Sequence, residues 1–247
     1  MKKILIVLFL GVSAFASAQN INGKIVFERK SDWIKIQSKA TYLSKEEKDR
    51  MAQTWKNDSE FKQKMLLVFD QNQSHYTYEN QQGESEDGTY TWRNDEYQLT
   101  RDLAKGKVLE IHEMLGKTYI LDDSLYAPKW KIHNEIKEVA GYICMKASTR
   151  DTVRSQDIVA WFATDIPVSI GPERIAGLPG MILELNIDND AVVIVATSIK
   201  LNEAAEIPKL PKKMRGKRIS QAEYDKIVYE YIKQQESMHR FPWGIRY

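Results

Sequence analysis

Short apolar–polar alternations fill most of the chain, and most read as β-strands. The first is "KIVFERK" (24–30). A series follows at 64–70, 74–80, 88–93, 96–101, 107–113 and 116–121, punctuated by turn-forming clusters such as Gln71-Asn72 and Arg93-Asn94-Asp95. Regular short strands with such punctuation predict a sandwich or a barrel-like meander. In the second half, "KWKIHNEIKEV" (129–139), Ala140-Gly141 and "YICMKAST" (142–149) read as a hairpin. "SQDIVAWFAT" (155–164) is a further strand. "MILELNI" (181–187), Asp188-Asn189-Asp190 and "AVVIVATSI" (191–199) form a second hairpin, apolar enough to lie centrally in a sheet.

Two segments switch to helical spacing. Ser44 with Glu47 is a capping box that opens a polar helix over 45–56. Ser220 with Glu223 is a second one. After it Tyr224, Ile227, Val228, Tyr231 and Ile232 recur at i, i+3, i+4, i+7 and i+8, one apolar stripe on a helix over 220–236. The predicted fold is mostly β: a curved antiparallel sheet, half-barrel-like, with a short helix in the N-terminal half and an amphipathic C-terminal helix.

The first residues change the picture of location. Met1-Lys2-Lys3, an apolar run from Ile4 to Leu10 and Ala16-Ser17-Ala18 have the form of a secretory signal peptide over 1–18. The run is shorter than the ~20 residues that span a bilayer. No cysteine follows the expected cut, so a lipoprotein anchor is not expected. Residues 19–247 are then one β-rich domain, exported to the periplasm or associated with the outer membrane. Removing Lys2 and Lys3 from 36 basic residues leaves 34 against 34 acidic ones. A neutral chain gives no argument for nucleic acid. No later stretch is apolar enough for a membrane helix, and the polar residues on both faces of 129–139 argue against a membrane barrel.

Candidate chemistry is sparse. Cys144 is the lone cysteine and reads as a semi-buried strand residue. The histidines His75, His112, His133 and His239 lack metal-ligand spacing, so no metal site and no cofactor is expected. No nucleophile elbow, zinc-protease motif or phosphate loop occurs, and no catalytic residue is assigned. Glu184 is the one polar residue of interest, on the wetter face of 181–187. If buried it needs a partner, for which Arg174 is a candidate. The run from Lys209 through Lys212, Lys213 and Arg215 to Arg218 is a basic, proline-containing linker (208–219) or a docking surface. Six Trp and twelve Tyr suit core packing or the lining of an apolar cavity.

"DIPVSIGPERIAGLPGMILEL" (165–185) is the most distinctive stretch. Pro167 and Pro172 lack backbone donors and interrupt pairing. Pro179-Gly180 fits the centre of a type II turn. A strand follows, not a helix, so a phosphate cradle is not expected. Gly171, Pro172, Gly177, Leu178, Pro179 and Gly180 form the candidate binding loop.

Gly177-Leu178-Pro179-Gly180-Met181-Ile182 resembles the signature of the GLPGLI family of exported bacterial proteins, with Met181 in place of the usual Leu. "KWKI", "GYICMKAS", "VAWFATDIPVSIGP", "LELNI" and "MRGKRIS" resemble the family's other blocks, over about residues 120–220. Glu173 and Ile175 stand where aromatics are common, and Ala176 where Gly is frequent. The resemblance implies export and a similar fold, an association with outer-membrane transport proteins, and no agreed catalytic residues. The expected function is an envelope binding or accessory module carrying an apolar ligand or peptide. The alternatives are a scaffold docking on an outer-membrane protein, or a hydrolase using Glu184 with a histidine.

Overall fold

The computed structural model describes residues 21–56, 59–85, 88–203, 206–209 and 213–246. The expected leader, Pro211 and Lys212 of the basic run, and Tyr247 lie outside the described residues.

Among the described residues the strands are β1 (Gly23–Asp32), β2 (Glu60–Phe69), β3 (Gln73–Tyr78), β4 (Gln82–Glu84), β5 (Thr91–Arg93), β6 (Tyr97–Asp102), β7 (Lys107–Met114) and β8 (Lys117–Ser124). They continue with β9 (Lys131–Val139), β10 (Tyr142–Asp151), β11 (Gln156–Ala163), β12 (Met181–Ile187), β13 (Val192–Leu201) and β14 (Lys217–Ile219). Three helices accompany them: α1 (Trp33–Ser38), α2 (Lys45–Thr54) and α3 (Gln221–Ser237).

Twelve strands form one sheet in the order β14-β8-β7-β6-β3-β2-β1-β13-β12-β11-β10-β9. β4 and β5 make a separate small hairpin. From β1 in mid-sheet the chain meanders out to β8, crosses to the far edge at β9 and meanders back to β1. That crossing dictates curvature. From Ser124 to Lys131 the chain reaches at most about 25 Å. β8 and β9 are ten strand spacings apart, about 48 Å in a flat sheet. The sheet must curl until its two ends approach, and it stays open. The curved, mostly β architecture agrees with the sequence expectation.

Three details depart from that expectation. The sheet is mixed, because β14 pairs in parallel with β8, Lys217 opposite Tyr119. The basic linker therefore ends in a strand, whose Ile219 is buried. Gly216 permits the approach: a Cβ there would lie 2.9 Å from the Thr118 carbonyl oxygen. The unpredicted α1 follows directly on β1, capped by the Asp32 carboxylate accepting from Lys35 N at 3.0 Å. One and a half turns leave too little periodicity to read. The strand expected at 88–93 is reduced to β5.

Both capping boxes form as predicted, on Ser44 with Glu47 and on Ser220 with Glu223. The α3 stripe packs Tyr224 and Val228 on Met114, Tyr119, Leu121 and Ile219. Burying each such side chain contributes about 1.5–3 kcal/mol. The turn residues Ala140, Gly141, Asp188, Asn189 and Asp190 all take positive φ, as tight hairpins demand. The β12–β13 hairpin lies in the interior of the sheet, beside β1.

Candidate functional site

The Pro-Gly segment is held from inside. Gly180 N–H donates to Leu178 O at 2.8 Å across Pro179, a three-residue turn tighter than the expected type II. Gly180 itself has φ 159° and lies so close to β11 that a Cβ would sit 2.2 Å from the Ala163 carbonyl oxygen. Gly177 takes φ 92°, and a Cβ there would lie 2.4 Å from Ala127 Cβ. Upstream, a bridge between Ile170 and Ala176 closes a small loop with Glu173 near its tip at φ 53°. Trp130 Nε1 donates to Ala176 O at 2.9 Å and ties the β8–β9 crossing to this loop.

The loop reaches a buried charge network. Arg246, from the C-terminal tail, grips the Glu173 carboxylate with Nε at 2.8 Å and Nη2 at 2.7 Å. Arg29 Nε lies 3.6 Å from the same carboxylate. Arg246 also stacks 4.1 Å from the Tyr97 ring centroid and donates to Tyr78 Oη at 3.1 Å. Burial opposes ionisation of Glu173, but Arg246, Arg29 and Tyr97 outweigh it and draw the carboxyl down to about 2. Arg101, fully buried, donates to the carbonyls of Gly171 and Glu173. Burial pulls its guanidinium down to about 10. Arg174 pairs with Glu110 at 2.7 Å, not with Glu184. His112 Nδ1 lies 3.3 Å from Glu110 Oε1 and 3.0 Å from Tyr224 Oη, so the network continues to α3. These side chains pin the loop to β1, β6, β7 and the tail.

Gly171, Pro172, Gly177, Leu178, Pro179 and Gly180 thus lie together on this pinned segment, with Leu178 buried. Glu184 lies apart from it, on β12. Its carboxylate accepts from Lys137 Nζ at 2.6 Å, and the ammonium lies 4.5 Å from the Trp161 ring centroid. Among the described residues no histidine or second carboxylate bonds to Glu184, so the arrangement the hydrolase alternative requires is absent. Cys144 is buried, and burial pushes its thiol up to about 11, an unreactive packing residue. His133 bonds to Ser148 on β10, far along the sheet from His112. Among the described residues no three metal-ligating side chains cluster.

A cleft of about 390 Å³ opens elsewhere, between the chain following α1, the β10–β11 turn, the β12–β13 turn, the end of α3 and the tail. Its walls are mixed: Ile36, Ile187, Val192, Ile232, Phe241 and Ile245 supply apolar surface, and Lys39, Arg150, Arg154, Asp157, Asp188 and Glu236 supply charge. Two lining groups lack hydrogen-bond partners among the described residues: Gln156 Nε2 and Tyr42 Oη, both buried atoms. Burial and nearby Glu236 push the Tyr42 phenol up to about 12, so it stays a neutral donor. The charged lining residues are matched already. Arg150 pairs with Asp157 at 2.5 Å, Arg154 with Asp151 at 3.1 Å, and Lys39 lies 3.9 Å from Asp188. Sequence patterning does not find this cleft, because its wall comes from four distant segments. Gln156 carries the one local hint, as a polar residue starting an apolar strand.

A family described as a protein of unknown function, Porph_ging, matches over residues 149–184. That stretch runs from the end of β10 through Arg150, Arg154 and Gln156 to the Pro-Gly loop and Glu184. No curated protein matches the chain. Among solved structures, one of PNGF-II in a P21 crystal is similar with a TM-score of 0.55 at 14% identity. It covers 85% of this chain and 33% of that one. PNGF-II in a C2 crystal gives 0.53, with the same identity and coverage. The likeness is one of fold, and this chain spans about a third of the length of that protein.

Proposed function

We propose that the chain is a binding module that holds an uncharged amphipathic ligand, such as a short apolar peptide segment, in the cleft beside Gln156. The observation that carries this reading is a pair of buried polar groups unpartnered among the described residues, Gln156 Nε2 and Tyr42 Oη, on two residues that line a cleft of mixed polar and apolar surface. A buried donor without an acceptor costs about 1–3 kcal/mol. A ligand carbonyl supplies that acceptor. The cleft's cations are already neutralised by Asp157, Asp151 and Asp188, so a charged ligand gains little there, whereas an apolar body with an amide gains burial and hydrogen bonds.

The N-terminal pattern and the resemblance to the GLPGLI family support an exported module of the cell envelope. A role beside an outer-membrane partner fits that location. The experiment is a thermal-shift titration with N-acetyl-leucinamide and N-acetyl-leucine. The amide raises Tm in a saturable way, and more than the acid does. No shift with the amide, or a larger shift with the acid, contradicts this reading.

A further inference from the structure

A second cleft, of about 460 Å³, lies between α2 and α3 on the other side of the tail. Phe241 lines both clefts and separates them. Trp243 forms one wall, 40% exposed, packed edge-on against Phe241 at 4.7 Å and beside Trp33 at 5.4 Å. Tyr231 fixes this wall by donating to Trp243 O at 2.7 Å. Met51 and Leu43 complete the apolar surface.

The charge balance here differs from that of the first cleft. Arg50 and Arg240 line it. Among the described residues neither guanidinium forms a hydrogen bond or close ion pair, although Arg50 lies near enough to help the Ser44 hydrogen bonds hold the Glu47 carboxyl down. The one lining carboxylate, Glu47, is committed to the α2 capping box, accepting from Ser44 N at 2.7 Å. His239 Nδ1 lies 3.2 Å from Tyr42 O. Two guanidinium groups without a close ion-pair partner, beside an exposed indole, offer a carboxylate fork and a flat apolar surface together. The first cleft has ion-paired charges and unpartnered neutral donors; the second has two guanidinium groups with no close ion pair among the described residues.

We propose that this second cleft binds an aromatic carboxylate, its ring against Trp243 and its carboxylate between Arg50 and Arg240. Two sources present that chemistry: a small free aromatic acid, and a peptide ending in an aromatic residue.

Fluorescence titration, with Trp243→Phe as the control that assigns the signal, compares phenylacetate with phenylacetamide, and N-acetylphenylalanine with its amide. The expected result is saturable binding of at least one acid, at least tenfold tighter than its amide. Preference between the two acids identifies the source. Binding weakens at least tenfold in Arg50→Gln/Arg240→Gln and declines with added salt. Both arginines are exposed, so this variant keeps the wild-type Tm. Equal affinity for acid and amide, undiminished binding in the double variant, or no saturable binding of either acid overturns the proposal.

Discussion

Arg246 and Glu173, 73 positions apart in the chain, form a two-pronged ion pair inside the curved sheet, with N–O distances of 2.7 and 2.8 Å. Through this pair the last residues of the chain hold the loop that precedes the Pro-Gly turn. The carboxylate is 14% and the guanidinium 13% exposed, so neither can fall back on water. Glu173→Gln and Arg246→Met each leave a buried charge short of its partner. Each is expected to lower stability by about 3–5 kcal/mol in urea unfolding. The double variant should cost less than the sum, because the two act on one interaction.

The same pair sets an acid limit. The Glu173 carboxyl sits at about 2 in the folded protein against an ordinary 4.5. A depressed folded value stabilises fully above the unfolded value, and that contribution disappears as pH falls from about 4.5 towards 2. Equilibrium unfolding at stepped pH should show stability declining through this window. In Glu173→Gln the decline should be shallower. An unchanged slope would remove Glu173 from the acid response.

Gly177 is a backbone requirement. Its φ of 92° and the 2.4 Å approach of a built Cβ to Ala127 leave no room for a side chain. Gly177→Ala should destabilise by about 1–3 kcal/mol, read as a lower urea midpoint. Gly141→Ala, at φ 85° with open space around the added methyl, should cost less and serves as the comparison.

The helix cap offers a calibration. Ser220→Ala removes the hydroxyl that accepts from Glu223 N at 3.2 Å and should cost about 1 kcal/mol. A loss confined to α3 should appear as faster amide exchange over 221–232 than elsewhere.

Much of the architecture was readable from local pattern. Both capping boxes, the α3 stripe, the central β12–β13 hairpin and the run of short strands follow from spacing alone. β14 was not readable, because a three-residue strand in a lysine-rich run carries no alternation. The interior network was partly written in the same alternation. Arg29 follows Ile25 and Phe27 on one face of β1, and Arg101 follows Tyr97 and Leu99 on one face of β6. An arginine on an apolar face is the signal that announces a buried charge. Its partner Glu173 could not be found that way, because it sits in an irregular loop and meets Arg246 only through the tertiary fold. Glu173 is the anion that the two arginines enclose. The Pro-Gly motif itself is a strut. The cleft beside Gln156 was invisible because tertiary structure alone brings residues 36–42, 150–157, 187–192 and 232–245 together.

The most direct measurement is a calorimetric titration of N-acetyl-leucinamide into the wild-type protein and Gln156→Leu, paired with Tm for each. Leucine removes the unpartnered Nε2 while keeping a side chain of similar size. The expected result is about tenfold weaker binding in Gln156→Leu with Tm equal to or above wild type. Equal affinity in both proteins, or a Tm well below wild type in Gln156→Leu, contradicts a ligand-binding role for the cleft.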